Sequence, residues 1–592
     1  MNLYKISFAL LLGIGTMTSC SDKLELINPN ESSSGSFGNT VSDLEEAVIA
    51  CYHNLRMEGT FSRVGYTNDV VRGDEVWTPQ HAWYLGVDHM NGVPTADNVC
   101  QWIWRDYYFV VNMSNFVIMK CGEDNATLTE AKKRIKGQAL FCRGLAYYNL
   151  AVYYQNPVLI LDYNAYSTNE GLYASNKQDG DEDGFAQFDR VMDQAEKDLQ
   201  EAITLLPSKE LGGEWAKGRA TSGAAAGIYS RVLMQRHKFS DALAVLKDII
   251  GGKYGTYKLM DNYGDNFREG SAYENNAESI FEMQFLDYGT QGADDEWTQV
   301  NISKNASQGH ALESNFGPQS SGGWGDLAAS TWLYYLFKKE RRADNGSLDP
   351  RLYWTIGTYE PEWENYEGGN GNVCFMAAMT DANPVMVRKD DNGGLPVAKY
   401  TNFRTNIYDA VVAGLKCGIN LRIMRYSDVL LRAAECENEI NGPTDQAIEW
   451  INIVRRRAHL KDLNKSDFAD ANALFEQIAN VERPKEFGCE YGRGFDLLRW
   501  GFFYSADRLQ QMKEHSVYVL SNDPARLKED VKYGGDGVIS SFDYYTPGHE
   551  FLPIYQIALN NNLNLVGNSA NLNKDNSSYF TKKGWTVRPV VK

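Results

Sequence analysis

The sequence contains none of the motifs that mark the common catalytic folds. The zinc pattern H-E-x-x-H, the nucleophile pattern G-x-S-x-G, the phosphate-binding loop and the dinucleotide fingerprint are missing, and the 8 histidines are scattered. The adjacent acids Asp74 and Glu75 leave a surface glycoside hydrolase as an alternative. Adjacency in sequence, however, does not establish the carboxylate separation that glycoside hydrolysis needs. These absences favour a binding protein over an enzyme.

Paired cysteines and long apolar runs are missing too. The 9 cysteines form no C-x-x-C pair, so we predict neither a zinc framework nor a redox pair. Cys51, Cys142 and Cys436 lie in segments with helical apolar spacing, and we expect them to be small buried residues. Beyond residue 20 no segment has the run of about 20 apolar residues that a membrane-spanning helix requires.

Basic residues are few relative to acidic ones. The 58 Lys and Arg stand against 77 Asp and Glu, which gives a formal net charge of −19. Nucleic acids and strongly anionic polymers are bound through clustered Lys and Arg, so the net charge argues against both as partners. The length of 592 residues exceeds one compact core, and we expect two lobes or one lobe with large insertions.

Residues 1–19 are organised like a bacterial lipoprotein signal peptide. Lys5 supplies the positive charge, residues 6–15 form a short apolar core, and the small Ser19 precedes Cys20. We expect Cys20 to become the acylated first residue of a mature chain of residues 20–592, with ordinary secretory cleavage as the alternative. Residues 21–25 resemble the signal that directs such lipoproteins to the outer face of the outer membrane.

Amphipathic helices recur in pairs, which predicts a mostly α-helical fold built from hairpins like tetratricopeptide repeats. The pairs define a scaffold at approximately 40–60, 100–285 and 420–515. Small residues at Ala224, Ala225 and Gly227 are expected to let the two helices of one hairpin approach closely. The predicted helices span 42–56, 188–206, 220–236, 240–250, 421–441 and 445–459, with a further one starting at 127–130.

Two regions between the helices, approximately 60–100 and 285–420, are rich in Gly, Asn, Asp and aromatic residues. Long irregular segments in a compact protein are more often functional than idle, so we expect the binding site there. An indole covers the C–H face of a sugar while acids and amides bind its hydroxyls. The alternative is that these aromatic residues are core anchors. The segments that combine both residue types are Asp74-Glu75-Val76-Trp77, Trp83-Tyr84, Asp294-Asp295-Glu296-Trp297 and Gly322-Gly323-Trp324.

Four segments in the C-terminal part carry a resemblance to one family. The stretch from Arg425 to Glu435 reads as an amphipathic helix with Ile423 and Tyr426 on its apolar face, and Asn452-Ile453-Val454-Arg455-Arg456-Arg457-Ala458 follows. Together with the two later segments they resemble the signature of the SusD/RagB family of nutrient-binding lipoproteins in Bacteroidetes. The charged residues of this signature are expected to fasten helices together. The later segments are Glu482-Arg483-Pro484-Lys485-Glu486 with Glu490 to Gly501, and Phe551-Leu552-Pro553-Ile554.

The resemblance implies a binding function and a partner. In glycan-binding members a Trp after a D-E pair and another in a G-W segment stack on the ligand, and Trp77 and Trp324 match these positions. Trp297 is a candidate third platform, and Trp83, Tyr84 and Asp74 are less specific candidates. The resemblance further implies delivery of an oligosaccharide or polysaccharide to a SusC-like TonB-dependent transporter, with no cofactor. Peptide binding, as in RagB-like members, stays open as the alternative.

One acidic loop has the spacing of a calcium site. Asp179, Asp181 and Asp183 occupy positions 1, 3 and 5 of an EF-hand-like loop, with Gly184 at position 6. Position 12 requires a bidentate Glu, but the chain has Arg190. The alternatives are therefore a Ca²⁺ site and a solvated acidic loop.

Overall fold

The computed structural model describes residues 37–78, 82–167, 174–286, 309–319, 322–358, 360–363, 395–403, 411, 416–519, 532–535, 537–568 and 574–591. Within these ranges helices dominate and strands are short, which confirms the prediction of a mostly α-helical protein. The predicted signal peptide, Cys20 and Trp297 lie outside the described residues. None of the helices in the described part is long and apolar enough to cross a membrane.

The helices vary from single turns to seven turns. They are α1 Val41–Leu55, α2 Val64–Val71, α3 Ala82–Asp88, α4 Asn98–Cys121, α5 Glu130–Tyr154, α6 Phe185–Leu205, α7 Lys209–Gly212, α8 Ser222–Gln235, α9 Phe239–Ile250, α10 Leu312–Phe316, α11 Thr331–Lys338, α12 Pro350–Thr355, α13 Tyr426–Asn441, α14 Asp445–Arg457, α15 Ala471–Gln477, α16 Arg483–Phe487, α17 Arg493–Arg499, α18 Ala506–His515, α19 Gln556–Asn561 and α20 Ser577–Lys583.

The strands form three small antiparallel sheets, in the orders β1-β3-β4, β2-β5 and β6-β7. The β1-β3-β4 and β2-β5 sheets pair strands that are far apart in sequence, and the β6-β7 sheet pairs two strands joined by a loop. The sheets therefore connect the insertions to the helical scaffold. The strands are β1 Val76–Trp77, β2 Ser279–Met283, β3 Ala328–Ala329, β4 Leu395–Pro396, β5 Leu421–Arg425, β6 Val517–Val519 and β7 Val538–Ser540.

Helix starts follow from capping side chains. Helix α1 begins at Val41, one residue before its predicted start; Thr40 caps it and accepts from the backbone N–H of Asp43, whose carboxylate accepts from the Thr40 N–H in return. Thr129 caps α5, whose start lies within the predicted 127–130. Helix α6 ends at Leu205, two residues before Pro207, which cannot continue a helix.

The segment Leu421–Arg425 corrects the prediction of one continuous helix over 421–441. It forms strand β5, which pairs with β2, and α13 begins only at Tyr426. Ile423 is therefore buried in a strand and does not share a helical face with Tyr426. Ile423 lies three positions before Tyr426, which is a helical spacing. The strand that pairs with β5 lies more than a hundred residues away in sequence, so the local pattern does not reveal it.

The long helices stack in layers in chain order. Helix α5 packs against α4 and α6, α8 against α6 and α9, α9 against α13, and α13 against α14. The prediction that Gly227 lets α8 and α9 approach closely is wrong. A Cβ there would meet Met424 Sδ at 2.6 Å and Ile280 Cγ2 at 3.4 Å, so the missing side chain admits the β2–β5 sheet. Cys51, Cys142 and Cys436 are buried in helices as predicted.

Candidate functional site

The family signature centres on buried ion pairs. Arg425 is 1% exposed and donates to Glu278 Oε1 at 2.6 Å, Glu486 Oε1 at 2.8 Å and Glu490 Oε1 at 2.7 Å. It thereby joins β5 to the segment before β2, to α16 and to the residues that follow α16. An unpaired charge is costly to bury, so each member needs the others. The prediction that these residues fasten the scaffold is confirmed.

A second buried network lies one turn further along α13. Asp428 accepts hydrogen bonds from Arg432 at 2.9 Å, Arg483 at 2.9 Å and Arg231 at 2.9 Å. Although burial alone would raise the pKa of Asp428, the three guanidinium groups hold it well below its usual range. These charged residues of the signature are therefore paired with one another inside the protein.

The two predicted tryptophan positions converge at the edge of the β1-β3-β4 sheet. Trp77 in β1 lies opposite Ala328 in β3, and the hydroxyl of Thr78 donates to the Asp326 carbonyl at 2.7 Å. Trp324 lies two residues before Asp326. The sheet therefore brings the D-E-V-W and G-G-W segments, distant in sequence, into one region.

The loop before β3 positions Trp324. Gly322 has φ +86°, a left-handed conformation, and a Cβ on Gly323 would come within 2.1 Å of the Gly317 carbonyl oxygen, so the turn requires both glycines. The guanidinium carbon of Arg63 lies 5.2 Å from the Trp324 ring centroid, in a cation–π contact. Trp324 is partly exposed, and the side chain of the exposed Gln319 donates to its carbonyl at 3.0 Å.

Unlike Trp324, Trp77 has its ring covered by another side chain. Its ring stacks on Tyr518 of β6 with centroids 3.8 Å apart and an interplanar angle of 2°, and the residue is 2% exposed. Ala328 and Ile539 complete this small apolar cluster, separate from the main core. In this conformation Trp77 does not offer a ring face to a ligand, whereas Trp324 has accessible surface.

Asp74 and Tyr84 are inside the protein, contrary to the expectation that they contact ligand. Asp74 is fully buried, and its two carboxylate oxygens accept from Arg493 at 2.6 and 2.9 Å and contact His515 at 2.8 Å. Tyr84 is 1% exposed, and Asn315 donates to its hydroxyl at 3.3 Å. Both residues therefore make structural contacts inside the protein. Trp83 lies at the start of α3, and its side chain is outside the described part.

Sequence reasoning missed the aromatic residues that come from the C-terminal third. Tyr518 covers Trp77, and the 44%-exposed Tyr544 stacks on His89 with centroids 4.1 Å apart. Asp88 connects these groups, since it accepts from the Thr78 N–H at 3.2 Å and the Ser541 hydroxyl at 2.9 Å. The local signal for a strand here is the short run of β-prone residues Val517-Tyr518-Val519.

The acidic loop at 179–184, for which a Ca²⁺ site and a solvated loop were the alternatives, contains a salt bridge. Both Asp181 carboxylate oxygens accept from Arg190, at 3.0 and 2.6 Å, which lowers the pKa of Asp181 to about 2. Asp183 accepts from the Phe185 N–H at 2.9 Å, and Asp179 is exposed. No group of three or more His, Cys, Asp or Glu suited to a metal occurs among the described residues.

The helical layers carry the buried signature and the aromatic sheet edge. Two models of known families match this chain. The model described as SusD family matches residues 277–571, and the one described as starch-binding associating with outer membrane matches residues 28–234. The chain belongs to the SusD family.

Individual relatives are distant in sequence but similar along most of their length. A SusD-like protein, P25, of Formosa agariphila is 25% identical over 527 residues, covering 82% of this chain and 87% of the relative. A SusD-like carbohydrate binding protein from Bacteroides fragilis has 20% identity and a TM-score of 0.66, covering 90% of this chain and 100% of that one. Surface glycan-binding protein A from Bacteroides uniformis has 20% identity and a TM-score of 0.62 with the same coverage. These likenesses confirm the fold.

Proposed function

We propose that this protein is a cell-surface lipoprotein that binds an oligosaccharide or polysaccharide without cleaving it. Membership of the SusD family supports the proposal, as do structural relatives described as carbohydrate-binding and surface glycan-binding proteins. The observation that carries it is the partly exposed indole of Trp324, held by a glycine turn at a sheet edge. The C–H face of a sugar packs on such a ring, and exposed polar groups such as the Gln319 amide bind its hydroxyls.

Trp77 and Trp297 are proposed as further platforms. Trp77 contacts a ligand only after Tyr518 leaves its ring face, because the stack and the sheet bury it. This arrangement makes Trp324 the first contact and Trp77 a second contact that depends on movement of β6.

The test is affinity electrophoresis of the wild type in gels containing starch, xylan, pectin or β-glucan, followed by calorimetry with the retained glycan. Trp324→Ala should weaken binding roughly thirtyfold, as expected for an aromatic anchor of about 2 kcal/mol. Trp585→Ala is the matched control, because Trp585 also stacks on a ring, His237, but lies in the C-terminal segment. Equal loss in both variants would assign Trp324 a structural role.

Two alternative functions, peptide binding and glycoside hydrolysis, predict different results in the same experiment. Peptide capture predicts saturable heat with oligopeptides and none with any glycan. A glycoside hydrolase predicts shorter chains after long incubation with the retained polysaccharide. The arrangement of Asp74, fully buried and bound to Arg493, favours binding over hydrolysis at this position.

We further propose a lipid anchor at Cys20 and delivery of the ligand to a SusC-like TonB-dependent transporter. A surface protein that only binds its ligand requires a transporter to bring that ligand across the membrane. Mild detergent extraction followed by affinity purification should recover a barrel of transporter size in stoichiometric amount. Cys20→Ser should release the protein from the membrane fraction; a membrane-bound Cys20→Ser variant contradicts the anchor.

A further inference from the structure

Tyr544 presents an aromatic ring at the surface, on the turn that follows β7. The residue is 44% exposed, and it is the only aromatic residue among the exposed large apolar side chains of the described part. Its ring stacks on the imidazole of His89 with centroids 4.1 Å apart and an interplanar angle of 17°. Burial lowers the pKa of His89, so this imidazole is neutral near pH 7. The phenol ring is therefore supported on one face by a neutral ring while the residue remains accessible.

The turn that carries Tyr544 is bound to the end of α3 on both sides of the ring. Before it, the Ser541 hydroxyl donates to the Asp88 carboxylate at 2.9 Å. After it, the Thr546 N–H donates to the Met90 carbonyl at 3.3 Å. The two acceptors precede and follow the histidine on which the ring stacks. The ring is thus held in place before a ligand binds, which lowers the entropy cost of binding.

A continuous series of contacts connects Tyr544 to Trp324. The carboxylate of Asp88, which holds the turn of Tyr544, also accepts from the Thr78 N–H at 3.2 Å. The hydroxyl of Thr78 in turn donates to the carbonyl of Asp326 at 2.7 Å, two residues after Trp324. The covered tryptophan of β1 directly precedes Thr78 in the chain. The partly exposed indole and the exposed phenol ring therefore lie at the two ends of this series, with the covered ring between them.

The charges around Tyr544 favour an uncharged ligand. Residues 540–546 contain one acid, Asp543, and no basic residue. Asp543 pairs with Lys513 at 3.4 Å and accepts from the Ser540 N–H at 3.2 Å. The turn therefore offers no unbalanced cation to an acidic sugar. The C–H face of a neutral sugar packs on the phenol ring, and its hydroxyls bond the phenol hydroxyl.

We propose that Tyr544 is a second exposed platform for the same glycan, and that one chain of uncharged sugar residues contacts both Trp324 and Tyr544. When a chain reaches both rings, the second contact is intramolecular and the two strengthen each other. A chain that is too short contacts one ring at a time, so affinity depends on chain length. This inference rests on the proposed glycan function and adds to it the length and the charge of the glycan.

The experiment is calorimetry on the full mature protein with oligosaccharides of increasing length. They are prepared from the neutral polysaccharide, starch, xylan or β-glucan, that retains the wild type in affinity gels. Affinity should rise with chain length in the wild type. Tyr544→Ala should remove this rise and weaken binding of the longest chain roughly tenfold, while the dimer binds both proteins equally. Tyr544→Phe keeps the ring and should retain most of the rise.

Tyr254→Ala is the matched control. Tyr254 is also a partly exposed tyrosine at the surface, but it follows α9 in the scaffold and contacts Lys253. This variant should bind every chain length as the wild type does. A rise with chain length that persists in Tyr544→Ala overturns the proposal. Equal losses for the dimer and the longest chain, together with a lower melting temperature, would give Tyr544 a structural role and overturn it too.

The same measurements separate this inference from the proposed function. If no polysaccharide retains the wild type, the proposed function fails and this inference fails with it. If a glycan binds but Tyr544→Ala changes nothing, only this inference fails. Stronger retention by pectin, which is acidic, than by every neutral polysaccharide also overturns the inference and leaves the proposed function intact.

Discussion

The indole of Trp77 lies parallel to the phenol ring of Tyr518, with ring centroids 3.8 Å apart. The two residues belong to different sheets, since Trp77 is in β1 and Tyr518 is in β6, opposite Ile539 of β7. The stack therefore joins the insertion that carries the D-E-V-W segment to the C-terminal part of the chain. It both stabilises this junction and covers one face of the proposed second platform.

Tyr518→Ala should lower the free energy of unfolding by about 3 kcal/mol, because a buried aromatic ring and its stack are lost together. Glycan affinity should be retained or increased, since Trp77 then has an uncovered face. Adding Trp77→Ala should remove that gain. If the double variant binds as well as Tyr518→Ala alone in calorimetry, Trp77 is a core residue and Trp324 acts without it.

Arg425→Ala should be among the most destabilising single changes in the protein. Glu278, Glu486 and Glu490 lose a shared guanidinium while buried, and breaking such a pair costs about 3–5 kcal/mol. The control is Arg456→Ala, whose partners Glu449 and Asp462 are exposed, so the loss should stay within about 1 kcal/mol. Urea unfolding of both variants gives the comparison; similar losses would contradict the structural role of the buried cluster.

The helical scaffold follows from the sequence better than the sheets do. Helices α5, α6 and α14 repeat apolar residues with a local period, and threonine side chains cap α5 and α14, so each helix can be predicted from its own segment. Strand β5 has no such local signature, because its pairing with β2 depends on a segment far away in the chain. Trp324 could be selected as a site residue by its glycine context. Arg63, which contacts Trp324, and Tyr518, which covers Trp77, come from other parts of the chain and become visible only in the folded structure.

Asp88→Asn should remove part of the pH dependence of stability. Burial raises the pKa of Asp88 to about 8, although the Thr78 N–H and the Ser541 hydroxyl oppose the shift. The folded state thus holds a proton that the unfolded state releases near pH 4. The contribution to stability is complete below about pH 4 and is lost as the pH rises towards 8, with a slope of up to about 1.4 kcal/mol per pH unit.

Unfolding of Asp88→Asn between pH 5 and 8 should therefore show a shallower decline than the wild type. Part of the decline of stability with pH remains in this variant, because burial also raises the pKa values of Asp69, Glu75, Glu313 and Asp326 to about 7 or 8. Asp74→Asn is the control, because the contribution of Asp74 to stability depends on pH in the opposite direction. Burial alone would raise the pKa of Asp74, but Arg493 and His515 lower it, so its contribution is present at neutral pH and lost only in acid. Parallel pH profiles for Asp88→Asn and the wild type would contradict the assignment.

Truncation of the chain after Gly584 should destabilise the protein through one buried arginine. Arg508 is fully buried and donates to the carbonyls of Arg588 at 2.7 Å and Pro589 at 2.8 Å. Truncation leaves a buried cation short of two acceptors, which costs about 1–3 kcal/mol in addition to the loss of the Trp585–His237 stack. The sum should exceed about 2 kcal/mol in urea unfolding.

A double-mutant cycle isolates the Arg508 contribution. In an Arg508→Met background the truncation should cost less than in the wild type, by about 1 kcal/mol or more, because Met leaves no charge unpaired. Met keeps the length of the side chain over Phe502, whose ring centroid lies 4.5 Å from the Arg508 guanidinium carbon. Equal costs in the two backgrounds would mean that the C-terminal segment stabilises the protein through its aromatic contacts alone, with Arg508 held by Glu476 and Gln511.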